Sequence, residues 1–288
     1  MINVTRTIYG AQLQANLYFG IPHNPMPKTT LNELYNIHDQ VNLLSTEVPS
    51  LEYFGIGNGG HRIVATDFGG KTSTVVHRAS DAGSYRPLPF ILRDLNNDLS
   101  PVEQAKYGMR TIMPVEGVNK IAYMLKKIDK SNMASELRLT TIANSIKTTI
   151  PFVPNNDNLS PLQPVIPNEG AITSDGSYLS TVTALDLSLT AQDIQEIVDA
   201  ATAIYNDPEA AIISEISMVS AYVKTVSILD QNRQPASGTY KEAIKAQITS
   251  HGTTYHQLTQ ANNGLELLID MGASEPMFGP TITTVSGT

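Results

Sequence analysis

The clearest helical pattern in the chain lies at residues 190–206. Thr190 and Asp193 have the spacing of a capping box, and the run Asn206–Asp207–Pro208 is a helix stop. One apolar stripe with helical spacing follows the box: Ile194, Ile197, Val198, Ala201, Ile204 and Tyr205. The pattern predicts an amphipathic helix whose apolar side packs against a sheet.

Three other places carry the residues of a capping box: Thr30 and Glu33 before LNELYNIHDQVNLLS, Ser100 and Glu103 around Pro101, and Thr239 and Glu242 before YKEAIKAQITS. The first predicts a helix through the quoted sequence, and the second predicts a short helix that ends near residue 109. The third sequence also alternates between apolar and polar residues as a strand does, so we leave it undecided between helix and strand.

Most of the remaining patterned sequence is typical of strands. Six segments rich in β-branched and aromatic residues predict strands: HRIVATDF, STVVH, KIAYMLKKI, ELRLTTI, YLSTVTALDLSL and ISEISMVSAYVKTVSIL. Clusters such as GNGG, DAGS and ANNG separate them, as turns separate antiparallel strands. The predicted fold class is α+β, mainly antiparallel β-sheet with a few helices and with extended arms that reach neighbouring subunits.

A segment rich in proline and asparagine divides the chain. Residues 151–170 read PFVPNNDNLSPLQPVIPNEG and have no periodicity, which predicts a linker or an extended arm. We therefore predict an N-terminal α+β unit at residues 1–150 and a C-terminal α+β unit at residues 171–274. Residues 275–288 are expected to form an extended C-terminal tail.

Charge and composition narrow the functional classes. The formal net charge is −8 and there is no basic run, which argues against binding nucleic acid through bulk charge. The chain has no cysteine, so disulfides, zinc–thiolate sites and cysteine nucleophiles are excluded. No apolar run has the length of a membrane span, and the start MINVTRTIYGAQLQ lacks an apolar signal core. We therefore expect synthesis in the cytoplasm and no membrane partner.

The stretch YFGIGNGGHRIVATDFGGKTS, residues 53–73, contains two nucleotide-binding patterns. Gly55, Gly57 and Gly60 match the dinucleotide fingerprint G-x-G-x-x-G. That fingerprint needs a strand before it, a helix after it and an acid about 20 residues further on. Here HRIVATDF follows and predicts a strand, while Asp81 lies in a predicted turn. We therefore interpret these glycines as turns that flank a hairpin strand.

Residues 65–72, ATDFGGKT, match a permissive phosphate-loop pattern with alanine in the first glycine position. In that hypothesis Lys71 reaches the phosphates of a nucleotide, Thr72 holds Mg²⁺ and a helix starts at Lys71. The residues that follow are β-branched and are then interrupted by glycine, which disfavours a helix. An NTP-binding enzyme that uses Lys71 and Thr72 as cofactor-binding residues is kept as the alternative function.

Other chemistry is sparse in the sequence. His61 and His77 flank the predicted hairpin and are close enough in sequence to approach each other, and His251 and His256 are a weak metal-binding pair. There is no G-x-S-x-G elbow, no H-E-x-x-H motif and no calcium-binding loop. We predict no catalytic residue, no cofactor and no metal. The twelve tyrosines leave a receptor- or glycan-binding module as a second alternative.

Four stretches carry a resemblance to a known class: YRPLPFILRDLNNDLSPVEQAKYGMRTI, VEGVNKIAYMLKKIDKS, YNDPEAAIISEISMVS and NNGLELLIDMGASEPM. Together they span about residues 85–277 and resemble virion structural proteins of tailed bacteriophages. The resemblance implies an assembly component without enzymatic activity, in the tail, baseplate or neck of the particle. It assigns no role to any single residue.

The expected function is therefore that of a structural virion component made in the host cytoplasm. Its expected partners are further copies of itself and neighbouring virion structural proteins. In this hypothesis extended arms cross subunit boundaries and bury backbone and apolar side chains, so that a symmetric assembly is stable only when complete.

Overall fold

The structure is a computed structural model. It describes residues 2–39, 41–44, 46–66, 69–131, 133–143, 145–160 and 176–276. Its strands are β1 (Asn3–Arg6), β2 (Ser50–Gly57), β3 (His61–Thr66), β4 (Gly69–Thr74), β5 (Pro87–Leu88), β6 (Ile91–Asp94), β7 (Tyr107–Val115), β8 (Val118–Lys127), β9 (Ser135–Ala143), β10 (Ile146–Pro151), β11 (Tyr178–Asp186), β12 (Leu189–Thr190), β13 (Ile212–Leu229), β14 (Pro235–Gln257), β15 (Gly264–Leu265) and β16 (Leu268–Pro276).

The helices are few and mostly short: α1 (Ile8–Phe19), α2 (Leu31–Tyr35), α3 (Pro101–Gln104), α4 (Asn156–Leu159) and α5 (Ala191–Tyr205), with a 3₁₀ turn at Pro208–Ala210. Every strand pairing in the described part of the chain is antiparallel. The predicted class, α+β with mainly antiparallel sheet and few helices, is confirmed. The chain folds into two units.

The first unit comprises residues 1–128 and 187–266. Its main sheet has the order β1-β14-β13-β2-β8-β6, with β5 beside β2 and β7 beside β8. The long hairpin of β13 and β14 supplies the central strands, and its register shifts at four bulges or irregularities. Because such shifts bend and twist a sheet, this hairpin curves the sheet from which the polar residues described below project.

Helices cover parts of this sheet. Helices α1 and α2 lie against β14, and α5 lies against β6. A core cluster of buried side chains joins α2 and the residues after it to the sheet: Leu31, Ile37, Tyr53, Met109, Ala122, Met124, Leu125, Val219, Ala221, Ala243, Ala246 and Ile248. Because both faces of β13 are covered, its sequence reads as an apolar run rather than as an apolar–polar alternation.

Helix α5 forms as its sequence predicts. The Thr190 side chain accepts from the Asp193 backbone N–H, and Asp193 in turn accepts from the Thr190 backbone N–H, so the capping box is complete. Asn206 ends the helix in the left-handed conformation (φ 53°). The first four residues of the stripe, from Ile194 to Ala201, are buried, and Ile204 and Tyr205 are half-buried. Burial contributes roughly 1.5–3 kcal/mol for each large apolar side chain.

Several local interpretations differ from the structure. The short helix predicted from Ser100 to about residue 109 ends at Gln104, and strand β7 begins at Tyr107. The Thr30 side chain accepts from the Glu33 N–H and caps α2, but Glu33 accepts from the Lys28 N–H instead of the Thr30 N–H, so the box is incomplete. The helix stops after five residues because Asn36 takes a left-handed conformation (φ 54°).

The undecided sequence after Thr239 lies in β14. Helix α1 was not predicted, since its apolar residues are distributed around the helix without a stripe. Its cap Thr7 and its left-handed stop at Gly20 (φ 64°) are the signals that sequence reasoning missed.

The second unit comprises residues 129–186 and 267–288. Its four strands have the order β10-β9-β11-β16, and α4 follows β10. Its buried apolar side chains, among the residues that the structure describes, are Leu185, Leu267 and Ile269. The rest of the sheet has side chains that are exposed or half-buried, apart from a few buried hydroxyls.

The units divide the chain differently from the predicted boundary at residues 151–170. Strands β9 and β10, expected in the N-terminal unit, pair with β11 and its neighbour β16. Strands β13 and β14, expected in the C-terminal unit, pair with β2 and β1. Antiparallel pairing joins strands that are distant in sequence, and composition does not reveal such pairings.

The predicted linker and tail lie mostly outside the described residues. Of residues 151–170, the structure describes residues 151–160, which hold the end of β10 and helix α4. Of the predicted tail at residues 275–288, it describes residues 275 and 276, which belong to β16. The prediction of extended arms that reach neighbouring subunits stays a prediction.

Candidate functional site

The glycines of the dinucleotide-like pattern surround a buried carboxylate of the protein itself. Gly55 and Gly57 lie in β2, which pairs with β13 so that Gly57 is opposite Glu215. A Cβ at Gly57 would lie 2.7 Å from Glu215 Oε2, and a Cβ at Gly60 would lie 2.2 Å from the carbonyl oxygen of Ser214. The glycines therefore allow the backbone to approach β13 closely, and the interpretation of Gly55 and Gly57 as turn residues is wrong.

Glu215 is fully buried, with a side-chain exposure of 0%, and it accepts hydrogen bonds from four donors. The backbone N–H groups of Gly59 and Arg86 donate to its Oε2 (2.8 and 3.1 Å), and the N–H of Tyr85 donates to its Oε1 (2.7 Å). His77 Nε2 donates to the same Oε1 at 2.8 Å. Burial raises the pKa of Glu215, but these hydrogen bonds outweigh it and hold the pKa below its usual value.

His77 lies between two carboxylates. Its Nδ1 is 3.1 Å from Asp81 Oδ2, and its Nε2 is bonded to Glu215. A carboxylate oxygen only accepts, so each ring nitrogen of His77 faces an acceptor. Its ring is stacked between those of Tyr85 and His251, at centroid distances of 4.1 and 3.8 Å. The result is a stack of three rings in which His77 also contacts two carboxylates.

His251 is the neutral member of the stack. Burial, together with the charge of His77 beside it, lowers the pKa of His251 to about 4. Its Nε2 donates to the carbonyl oxygen of Asp81 (3.2 Å), and its Nδ1 lies 3.3 Å from Ser217 Oγ, which also contacts Ser84 Oγ. A serine beside a histidine suggests a nucleophile, but Ser217 is 2% exposed. A substrate in solvent therefore has no access to it.

An open polar cavity of about 660 Å³ lies next to this network. It is lined by Asn58, Gly59, His61, Arg62, Val75, Arg78, Asp81, Tyr85 and Arg86. Burial and the charge of Arg86 lower the pKa of His61, so this histidine is neutral near pH 7 and the guanidinium groups supply the positive charge of the wall. Sequence reasoning did not group these arginines, because they are separated by 16 and 8 positions in the sequence and form no short motif.

The structure around Lys71 and Thr72 is not that of a phosphate loop. Both residues lie in β4, opposite Val64 and Ile63 of β3 in an antiparallel hairpin. A phosphate loop needs a helix that begins at Lys71, so that its first N–H groups face the phosphates. The hairpin supplies no such helix, and neither residue lines the cavity.

The two histidine pairs considered from the sequence do not form pairs with each other in the structure. His61 and His77 reach adjacent residues of β13: His61 Nδ1 is 3.0 Å from Ser214 Oγ, whereas His77 bonds to Glu215. His251 belongs to the buried stack, and His256 lies outside it. In the part of the chain that the structure describes, no group of three or more His, Asp or Glu side chains is arranged to hold a metal ion.

A second candidate site is one face of the sheet in the second unit. Ile150 of β10 is opposite Leu139 of β9, which is opposite Leu179 of β11. Alternate residues of a strand share a face, so Leu137 and Ile146 lie on this same face. We call these five side chains the apolar sheet face. Leu139 and Leu179 are half-buried, and the other three are exposed.

The opposite face of this sheet is polar. Arg138 forms ion pairs with Glu136 (3.1 Å) and Asp270 (2.9 Å). Hydroxyl pairs join neighbouring strands on this face, such as Ser180 with Ser274 at 2.8 Å. The sheet is therefore amphipathic in a way that normally requires a cover over its apolar side.

Strand β10 adds an exposed edge to the apolar sheet face. All six of its residues are exposed, and in the described sheet β9 is its one neighbour. An exposed edge strand presents unpaired N–H and C=O groups on which a further strand can pair. The apolar face and this edge are adjacent parts of one surface.

Comparison with known proteins gives a family but no function. Residues 1–285 match the model of a family of unknown function, DUF7208, and the chain therefore belongs to that family. No curated protein and no solved structure matches the chain. None of the helices in the described residues has the length and apolar character needed to cross a membrane.

Proposed function

We propose that this chain is a structural subunit of a tailed-phage virion that acts through contacts with further copies of itself and with neighbouring virion proteins. The observation that carries the proposal is the apolar sheet face of the second unit together with the exposed edge of β10. The resemblance of residues 85–277 to virion structural proteins supports the setting in the tail, baseplate or neck.

The exposure of two isoleucines makes this surface unusual for a chain that acts alone. Ile146 and Ile150 are 68% and 52% exposed on a strand with one neighbour in the described sheet. Burying each such side chain at a contact contributes roughly 1.5–3 kcal/mol before the cost of association is counted. A neighbouring subunit that pairs with β10 satisfies the edge and covers the apolar face at the same time.

The first unit offers a second exposed apolar surface at the end of α1. Leu17, Tyr18, Phe19 and Ile21 are all exposed there. An assembly that grows by head-to-tail contacts uses two different surfaces of each copy, which close into a ring when the rotation between copies allows it. The chain thus carries one candidate contact surface in each unit, as such an assembly requires.

The test is the molar mass of the purified chain by light scattering over a range of concentrations. We expect the wild-type mass to rise above that of one chain, and the double variant Ile146→Lys/Ile150→Lys to remain a monomer. The matched control is Val102→Lys/Val118→Lys, which replaces two exposed apolar residues of the first unit and should leave the mass unchanged.

Two outcomes would contradict the proposal. The first is a wild-type chain that stays monomeric at every concentration and that also stays monomeric when proteins extracted from phage particles are added. The second is a mass that changes with Mg-ATP in the wild type but not in Lys71→Ala, because that pattern favours the nucleotide-binding alternative. The virion setting itself is tested by detecting peptides of this chain in purified phage particles.

A further inference from the structure

The cavity of the first unit concentrates positive charge on a protein that is acidic as a whole. Arg62, Arg78 and Arg86 line it, and none of the three guanidinium groups has an acidic partner within the described residues. By contrast, Arg93 and Arg110 are paired with carboxylates of their own chain. Toward the described part of the chain, the cavity arginines therefore keep their donors available to a ligand.

The one acid that lines the cavity is already engaged. Asp81 Oδ2 accepts from the His77 ring and from the Arg78 backbone N–H (2.9 Å). Burial raises the pKa of Asp81, but these hydrogen bonds and the neighbouring histidines hold it below its usual value. Glu215, the buried carboxylate behind the cavity wall, is likewise engaged, since it accepts from four donors. The three guanidinium groups thus remain in excess.

The backbone that carries the cavity wall is held in place before any ligand arrives. Glu215 accepts from the N–H groups of Gly59, Tyr85 and Arg86, which fixes the loop on one side of the cavity to the segment on the other. Arg78 is anchored through its own N–H to Asp81. A wall fixed in this way loses little conformational entropy when a ligand binds.

We propose that this cavity binds a small polyvalent phosphoryl anion, such as pyrophosphate, through the guanidinium groups of Arg62, Arg78 and Arg86. Guanidinium forks match the geometry of phosphoryl oxygens and bind them with two hydrogen bonds each. A volume of about 660 Å³ accommodates a ligand of this size, within the usual range for small-molecule sites. The net charge of −8 disfavours anion binding on the rest of the surface.

The test is calorimetric titration of the full chain with pyrophosphate at constant ionic strength. Arg78→Gln and Arg86→Gln should each weaken binding by about 10-fold or more, because each removes charge-assisted hydrogen bonds to the ligand. Arg62→Gln gives a third, independent variant. The matched controls are Lys71→Gln, on the same hairpin but outside the cavity, and Arg233→Gln, elsewhere in the first unit; both should bind like the wild type.

Folding of the variants is checked by the melting temperature without ligand. The three arginine side chains are exposed and their substitution keeps every backbone N–H, so the melting temperature should not change. Titrations with tripolyphosphate and with ATP distinguish the source of the phosphoryl groups. If the two affinities are equal, the phosphates alone are bound. If ATP binds more tightly, the site takes a nucleotide through its phosphates.

Three results would overturn the assignment. The first is the absence of heat with pyrophosphate at any accessible concentration. The second is a loss of binding in Lys71→Gln as large as that in Arg78→Gln, which would indicate diffuse attraction or a phosphate loop. The third is citrate binding as tightly as pyrophosphate, which would make the ligand a carboxylate.

Discussion

Both units are built on antiparallel strands, but they differ in which side chains of those strands are buried. In the first unit, strands β13 and β14 are covered by helices and other strands, and the buried side chains include two glutamates, Glu215 and Glu242, each with 0% exposure. In the second unit, the sheet keeps its charges at the surface and leaves its apolar sheet face partly exposed. Strand sequence alone thus does not decide burial; the presence of a cover does.

The two units also differ in whether their acidic side chains are buried and hydrogen-bonded or exposed to water. Glu242 accepts from Asn32 Nδ2 (3.1 Å) and His38 Nδ1 (2.8 Å) and also from the Tyr240 hydroxyl, much as Glu215 is surrounded by four donors. A buried carboxylate is tolerated when its hydrogen bonds are satisfied, and its removal leaves the donors without a partner. In the second unit, the acids that contact Arg138 remain exposed to water, which screens such pairs.

The largest expected effect comes from making the same change in both units. Glu215→Gln should lower the free energy of unfolding of the first unit by about 3–5 kcal/mol, because it removes a buried negative charge and turns an NH₂ donor toward groups that themselves donate. Glu136→Gln, in an ion pair whose acid is 64% exposed, should change stability by less than about 0.5 kcal/mol. Urea unfolding measures both.

The signals of the two units can be separated. All tyrosines except Tyr178 lie in the first unit, so near-ultraviolet circular dichroism reports chiefly on it, and hydrogen exchange of β9 and β11 reports on the second. If Glu215→Gln and Glu136→Gln had equal effects, the buried carboxylate would not be the structural centre of the first unit.

A smaller effect is expected from pH, again confined to the first unit. The pKa of His251 is about 4 in the folded chain, below its ordinary value of 6.5. Between these values the unfolded chain takes up a proton that the folded chain does not, so stability falls as pH falls from about 6.5 to about 4. The loss amounts to roughly 3 kcal/mol at 1.36 kcal/mol for each pKa unit.

The measurement is the unfolding midpoint at a series of pH values. His251→Gln should flatten the pH dependence in this window, whereas His256→Gln, on the same strand but half-exposed, should change it less. The lowered pKa values of Glu215 and Asp81 add a further loss at lower pH, since carboxylates with depressed pKa stabilise the fold above their unfolded pKa and lose this contribution in acid. A midpoint that stays flat from pH 6.5 to pH 5 would contradict the neutral, buried state of His251.

Features that depend on neighbouring residues could be predicted from the sequence, whereas features that depend on distant contacts could not. Helix α5 was predicted correctly because its cap, stripe and stop are all local. The Thr239 box was ambiguous because Glu242, which reads as a box partner, is a buried acceptor for His38 and Asn32, about 200 residues earlier in the chain. No local pattern contains that information.

The candidate site was harder to predict than the fold. The glycines near residue 57 signalled an anion and close backbone approach, but the anion is Glu215 of the protein itself, 158 residues away in the register of β2 and β13. The cavity arginines come from strand β3 and from the connection between β4 and β5, which meet only in the folded chain. The division into units was missed for the same reason, because each unit is built from two separate parts of the chain.

The smallest expected effect compares a helix cap in each unit. Thr190→Ala removes the cap of α5 and should cost about 1 kcal/mol, because α5 is tied to the first unit by buried residues such as Ile194. Asn155→Ala removes the cap of α4, which has no buried residue, and should leave the unfolding midpoint unchanged. A four-residue helix with no buried residue opens locally, so its cap does not contribute to the free energy of global unfolding. Hydrogen exchange should show α4 open in both the wild type and Asn155→Ala; a measurable loss of global stability in Asn155→Ala would mean that α4 is held by contacts and that the second unit is less open than its exposed sheet indicates.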